Sequence, residues 1–406
     1  MTALLLHSVA RLFARAASTP APVGRKSATT LRVRVVAALL LTGLSFGLWR
    51  LAFAGLGDGA LPLVDDRGGP ALLVSEFGMV QDTLWSVSAR DPQHRQPLAR
   101  VPHAPGYGIN AALSPDGRSV AYTALPPDLA NPSADSPAEL WLLDLSTGDA
   151  RVLAADADLL VAPVWAPDGR SLVFRRSYPA ENAAGAFELV RATLDGGQAV
   201  LARADAALFP VGFTPDGALL YTQVSPVGTD LGRAAGGSPA EALSHLSDDF
   251  TRDWRLSPDS RRLAFLAPRP SAEGMVPRAM VADLSEGAGR LSVHIREADG
   301  GPAIDLGPAW HPGGDLTLGR LSPGRERSGA VRLDDEGSRA LPGPERGFDV
   351  PIAWSPDGRL LAVRNFEGSS AVDPGRARLE LVKEDGGRRP VNLGGDVAVV
   401  GWLEDD

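Results

Sequence analysis

Residues 350–366 read VPIAWSPDGRLLAVRNF. An apolar run ends at Trp354, the four residues Ser355-Pro356-Asp357-Gly358 follow, and a second apolar run begins at Leu360. The central four are tight-turn chemistry. Serine at the first position can bond the backbone two residues on, proline presets φ at the second, aspartate suits the third and glycine the fourth. The flanking runs have strand composition, so the stretch is read as a hairpin.

The hairpin recurs along the chain. The motif stands at Leu113-SPDG, Trp165-APDG, Phe213-TPDG, Leu256-SPDS, Trp310-HPGG and Trp354-SPDG, its prolines being Pro115, Pro167, Pro215, Pro258, Pro312 and Pro356. Their spacings are 52, 48, 43, 54 and 44 residues. A strand-rich period of roughly 40–50 residues is the signature of a β-propeller. The large residue before each motif is expected to pack between neighbouring blades. A second hairpin follows in most units, as in 139–154 (ELWLLDLSTGDARVLA), 187–202 (FELVRATLDGGQAVLA) and 378–394 (RLELVKEDGGRRPVNLG). Two hairpins make a four-stranded blade.

The ends set the blade number. ALLVSE (71–76) and TLWSVSARDPQHRQPLA (83–99) match the later part of a unit, with Trp85 standing where Trp141 stands, but no proline motif precedes them. At the other end, VAVVGW (397–402) matches the start of a unit up to its Trp and then the chain stops. The last strand is therefore expected to complete the first blade, tying the termini together and removing open sheet edges. Residues 71–406 at a period of about 48 give seven units. The expected fold is an all-β, seven-bladed propeller of four-stranded blades, with six blades as the alternative. Residues 224–249 show no clear strand pair and 268–289 read as an insertion. Those two stretches are expected to project from the rim and to carry specificity.

The N-terminal part has a different character. Residues 1–34 hold Arg11, Arg15, Arg25, Lys26, Arg32 and Arg34 and no acidic residue. Val35–Trp49 (VVAALLLTGLSFGLW) is uncharged, and beyond Arg50 the apolar run continues to Leu56. Counting through Arg50, which can snorkel to the interface, the segment reaches spanning length. The basic flank before it orients the N-terminus to the cytoplasm and the body outside. Two readings stand: an uncleaved signal anchor, or a signal peptide cut after Ala52-Phe53-Ala54. Residues 2–18 read either as a basic amphipathic helix on the inner membrane surface or as a disordered tail, and Ser18–Thr30 reads as a linker. The expected division is a basic cytoplasmic tail over 1–34, a transmembrane helix over 35–56, a linker over 57–70 and a propeller over 71–406.

Composition narrows the function. After residue 34 the chain has 34 basic residues against 49 acidic ones, a poor match for nucleic acid. Its Cys count is 0, which excludes disulfides, thiolate metal sites, cysteine nucleophiles and a lipoprotein anchor.

The repeated turn and strand resemble the repeat of TolB-like propellers, also called PD40 or WD40-like. A similar repeat occurs in the propeller of prolyl oligopeptidase-type peptidases and in some oligogalacturonate lyases. The resemblance covers 336 of the 406 residues. It implies a propeller but no particular activity, because the fold hosts many. The TolB pattern sets a small α/β domain before a six-bladed propeller, whereas here only Gly57–Pro70 separates the apolar segment from the first strand.

No catalytic constellation emerges. The one G-x-S-x-G match, Gly43-Leu44-Ser45-Phe46-Gly47, lies in the apolar segment, and a hydrolase domain to carry it does not fit in the length. His94, His103, His245, His294 and His311 have no helix-face ligand spacing, although a propeller can gather ligands onto its axis. The Asp248-Asp249 and Asp334-Asp335-Glu336 runs read as solvated turns, and Gly55-Leu56-Gly57-Asp58-Gly59 as a flexible joint rather than a phosphate loop. No catalytic, cofactor-binding or metal residue is assigned, and no cofactor is expected. The expected function is a membrane-anchored extracytoplasmic scaffold for an envelope protein or peptide bearing a basic patch. The alternative is a lyase-like glycan enzyme with a metal site in the propeller funnel.

Overall fold

The computed structural model describes residues 69–178, 187–237, 239–271, 274–287, 290–299, 303–321, 327–334 and 336–403. The tail over 1–34, the apolar segment over 35–56 and most of the linker over 57–70 lie outside the described residues. Among the described residues no helix is long and apolar enough to cross a membrane.

Among the described residues the chain forms seven sheets, each built on four antiparallel strands, and in the seventh the two-residue strand Arg327–Ser328 adds a parallel fifth; together they make a seven-bladed propeller. In six of the seven blades the innermost strand ends at a proline motif, and the innermost strands of successive blades pack side by side from the first blade to the seventh. The first blade is composite. Its three outer strands are Ala71–Glu76, Gln81–Ser88 and Arg95–Pro102, and Val397–Leu403 supplies the innermost one, pairing antiparallel with Ala71–Glu76. The ring is thus closed by the two ends of the repeat region, as the truncated end units imply.

The hydrophobic core is divided into one cluster for each pair of neighbouring blades. Between the second and third blades, Leu140 and Leu142 meet Trp165, Leu172 and Phe174. The residue before each motif works at these joints. Trp165 Nε1 donates to the Ala112 carbonyl at 3.0 Å, and Trp310 Nε1 to the Arg255 carbonyl at 2.8 Å. Each ring reaches back to the equivalent place in the preceding blade. Where the large residue is leucine, the space opposite is made by glycine: a Cβ on Gly212 would lie 2.9 Å from Leu256, and one on Gly401 2.9 Å from Leu113.

The turns are built from their own side chains. Ser114 Oγ donates to the Asp116 carboxylate at 2.6 Å and accepts from the Ser119 amide at 2.9 Å, while Asp116 accepts from the Arg118 amide at 3.1 Å. Ser257 and Asp259, and Ser355 and Asp357, repeat this geometry. The serine therefore bonds a carboxylate two residues on and an amide five residues on, rather than the backbone two residues on. The fourth position is left-handed, with φ 71° at Gly117 and φ 57° at Ser260, the serine that replaces glycine in SPDS. In HPGG the imidazole takes over. His311 Nδ1 accepts from the Gly313 amide at 2.9 Å, and Nε2 lies 3.2 Å from the Gly358 carbonyl of the next blade, to which it donates.

Two expectations are corrected. Residues 224–249 do contain a strand pair, Gly228–Ala234 with Glu241–Ser247. Its glycines obscure the pattern: a Cβ on Gly232 would lie 2.3 Å from the Tyr221 ring, so glycine makes room for tyrosine there. Residues 268–289 are no separate insertion. The strands Arg262–Ser271 and Gly274–Gly287 continue one register from Arg262↔Asp283 to Ser271↔Gly274, taking in Pro268, Pro270 and Pro277.

Candidate functional site

Strand direction alternates within each blade, so the disc has two unlike faces. One carries the proline motifs and the tight turns between third and outer strands; it is called the turn face below. The other carries the connections between second and third strands and between blades, and is called the loop face. Ala71 pairs with Ser88 and Leu403, and the Ala89 amide donates to the Pro70 carbonyl at 3.1 Å. The propeller's first and last strands therefore both reach the turn face, where Ala71 begins and Leu403 ends.

The loop face is held by buried carboxylates. Asp82 accepts from Gly78 N at 3.1 Å, Ile109 N at 3.0 Å and His103 Nε2 at 3.0 Å, joining a hairpin tip to the connection into the second blade. Asp158 accepts from Arg175 Nε at 3.0 Å, and the same guanidinium donates to the Leu208 carbonyl and lies over the rings of Phe209 and Phe187. Asp305 accepts from the Ala279 amide at 2.9 Å and from Arg320 Nε at 3.0 Å. Burial pushes the Asp305 carboxyl above its ordinary pKa, and the Ala279 and arginine contacts only partly offset it. Burial likewise raises Asp349 against the pull of Arg388 and Asn365. Burial also acts upward on Glu188, but hydrogen bonds from Arg203, Tyr178 and Arg176 outweigh it and hold the group below the usual range. Every one of these carboxylates is spent on neighbouring chain segments, which is the chemistry of a rigid frame.

The five histidines among the described residues are scattered. His94 is exposed in the outer turn of the first blade and His294 on the outer strand of the fifth. His103 is buried against Asp82, and His311 serves a turn. His245 bridges Asp230 at 2.7 Å and Asp248 at 2.9 Å through its two nitrogens, and these carboxylates, Asp230 foremost, raise its pKa. Among the described residues no group of three or more His, Cys, Asp or Glu side chains could hold a metal ion. Asp248 pairs with His245, and Asp334 accepts from the Glu336 amide within its turn. The Gly43–Gly47 and Gly55–Gly59 stretches lie outside the described residues.

What the sequence does not reveal is the surface. Eight large apolar side chains are exposed among the described residues. Val152 and Val200 lie on outer strands; Met79, Val80, Tyr178, Val227, Met275 and Val372 all lie at connections of the loop face. The same face opens into a cavity of about 550 Å³ lined by Arg320, Arg327, Ser328, Leu341, Gly343 and Pro344. It forms where Arg327–Ser328 leaves the sixth blade and pairs in parallel with Gly347 and Phe348 on the innermost strand of the seventh. No signal in the sequence separates these apolar residues from core ones, because their exposure depends on which connection is short.

No family model matches the chain, and no curated protein matches it. Solved structures do. A prolyl endopeptidase superposes with a TM-score of 0.53 at 15% identity, over 79% of this chain and 47% of that one. The β-propeller domain of the Trilobed protease from Pyrococcus furiosus superposes with a TM-score of 0.52 at 11% identity, over 81% and 96%. TolB from Acinetobacter baumannii is similar with a TM-score of 0.44 at 19% identity, over 81% and 72%. At such identities the likeness is one of fold alone: this chain is a β-propeller.

Proposed function

We propose that the protein is a membrane-anchored, extracytoplasmic scaffold that binds a protein or peptide partner without catalysing a reaction. On this reading the apolar segment over 35–56 spans the membrane behind the basic tail, and the propeller stands outside on the linker over 57–70. The observation that carries it is the contrast between the faces. The chain enters the propeller on the turn face, and six of the eight exposed apolar side chains among the described residues sit on the opposite one. A disc tethered by one face presents the other, and a rigid frame with variable connections suits recognition.

The test is a pull-down from detergent extract with the full chain as bait, with and without chelator. Retention of a stoichiometric envelope protein in both samples supports the scaffold. Absence of a partner together with one equivalent of bound metal points instead to a glycan-active enzyme.

A further inference from the structure

We infer that the loop face docks a protein partner whose contact surface is cationic and amphipathic. The inference rests on the binding half of the reading above and not on the anchor. The apolar side chains come from five of the seven blades, and Val372 and Val227 are 80% and 76% exposed. A chance scatter of exposed apolar residues would also populate the turn face, where none of the eight lies.

The tips are preorganised. Ser225 pairs with Gly228, so Val227 sits in a two-residue hairpin whose amide donates to Ser225 Oγ at 3.3 Å. The Met79 and Val80 carbonyls accept from Gly106 N at 2.6 Å and His103 N at 3.0 Å, which fixes that tip to the next blade's connection. Side chains held this way lose little freedom when a partner covers them.

Charge decides the partner's character. Asp128, Asp135, Asp248 and Asp373 are exposed on the same face, Asp373 directly after Val372. Asp248 lies beside Val227, since a Cβ on Gly228 would come 3.0 Å from the Asp248 Cα. Exposed Arg327, Arg346 and Arg376 share the face; Arg346 is engaged by Glu367 at 3.2 Å, and Asp248 is itself paired with His245 at 2.9 Å. Apolar tips among carboxylates repel anionic lipid and acidic proteins and favour a surface that alternates apolar and basic groups.

The probes are two labelled amphipathic helical peptides, one of Lys and Leu and one of Glu and Leu, titrated by fluorescence anisotropy into the full chain in non-ionic detergent. The Lys/Leu peptide is expected to bind, more weakly at higher salt. A Met79→Ser, Val227→Ser, Val372→Ser variant is expected to bind about tenfold more weakly, and a Val152→Ser, Val200→Ser rim variant as the parent does. Failure of the Lys/Leu peptide to bind, equal binding by the triple variant, equal binding of the Glu/Leu peptide, or uptake of the parent chain by anionic vesicles through these tips would each overturn the assignment. If an envelope partner found by pull-down is held undiminished by the triple variant, this assignment fails while the scaffold stands. If no partner is found at all, the scaffold itself fails.

Discussion

Glu76 and Gly395, 319 residues apart, are joined across the ring closure: one carboxylate oxygen accepts from the Gly395 amide at 2.8 Å. The other accepts from Trp85 Nε1, also at 2.8 Å, within the first blade. The Phe77 amide donates to the Asp396 carbonyl at 2.7 Å, and Arg364 Nη2 donates to the Val397 carbonyl at 2.9 Å from the seventh blade. One acidic side chain thus pins the entry of the last strand to the first blade. Glu76→Ala is expected to lower stability by about 1–2 kcal/mol, the scale of a charge-assisted hydrogen bond at a partly buried site. Chemical denaturation reads this, and an unchanged midpoint would show that the strand pairing alone closes the ring.

Ser260 holds φ 57° where its counterparts are glycine. A left-handed conformation costs an L-residue about 1 kcal/mol relative to glycine. Ser260→Gly is expected to raise the unfolding free energy by about that amount, and a destabilised variant would contradict the turn geometry.

The indole joints are expected to matter more. Trp165 is buried between the second and third blades, and its Nε1 satisfies the Ala112 carbonyl. Trp165→Ala is expected to cost about 3–5 kcal/mol through the cavity it leaves. Trp165→Phe keeps most of the volume and loses the hydrogen bond, with an expected cost of about 1–2 kcal/mol. Calorimetry on both variants separates packing from hydrogen bonding.

Acid titration tests the turns. Hydrogen bonds from Ser114, Thr214, Ser257 and Ser355 hold Asp116, Asp216, Asp259 and Asp357 below the ordinary aspartate pKa. A carboxyl lowered on folding stabilises the native state above its unfolded pKa, and that stability is lost as pH falls through the folded value. Asp305 and Asp349, raised by burial, act in the opposite sense, since ionising them on the way up weakens the fold. Replacing the four turn aspartates by asparagine is expected to flatten the acid limb of the stability profile, measured by urea midpoints between neutral pH and the carboxylate range. A limb as steep as the parent's would place its origin elsewhere.

The blades were legible because the turn is local chemistry: Ser355, Asp357 and Gly358 make it from four consecutive residues, and the indole before it has a fixed place at the joint. Closure was legible because both end units are incomplete. Gly228–Ala234 was not, since glycines placed for Tyr221 and for a tight hairpin break the alternation a strand shows. The hairpin over 262–287 was hidden by prolines that a ladder interior rarely holds, yet Pro268 and Pro277 face each other there. At HPGG, where the motif's aspartate is missing, the His311 ring holds the turn by accepting from the Gly313 amide. The loop face was illegible for a different reason. Val227 and Val372 differ from core valines only in the connections that carry them, which no local pattern encodes.

The absence of cysteine allows the most direct test of the central claim, a propeller displayed outside the membrane with its loop face outward. Single cysteines are placed at Val227 on the loop face and Asp195 on the turn face, and intact spheroplasts are treated with a membrane-impermeant maleimide. Both variants are expected to label before lysis, and a bilayer-borne quencher is expected to dim a probe at position 195 more than one at 227. Labelling only after lysis would contradict export, and stronger quenching at 227 would turn the disc the other way up.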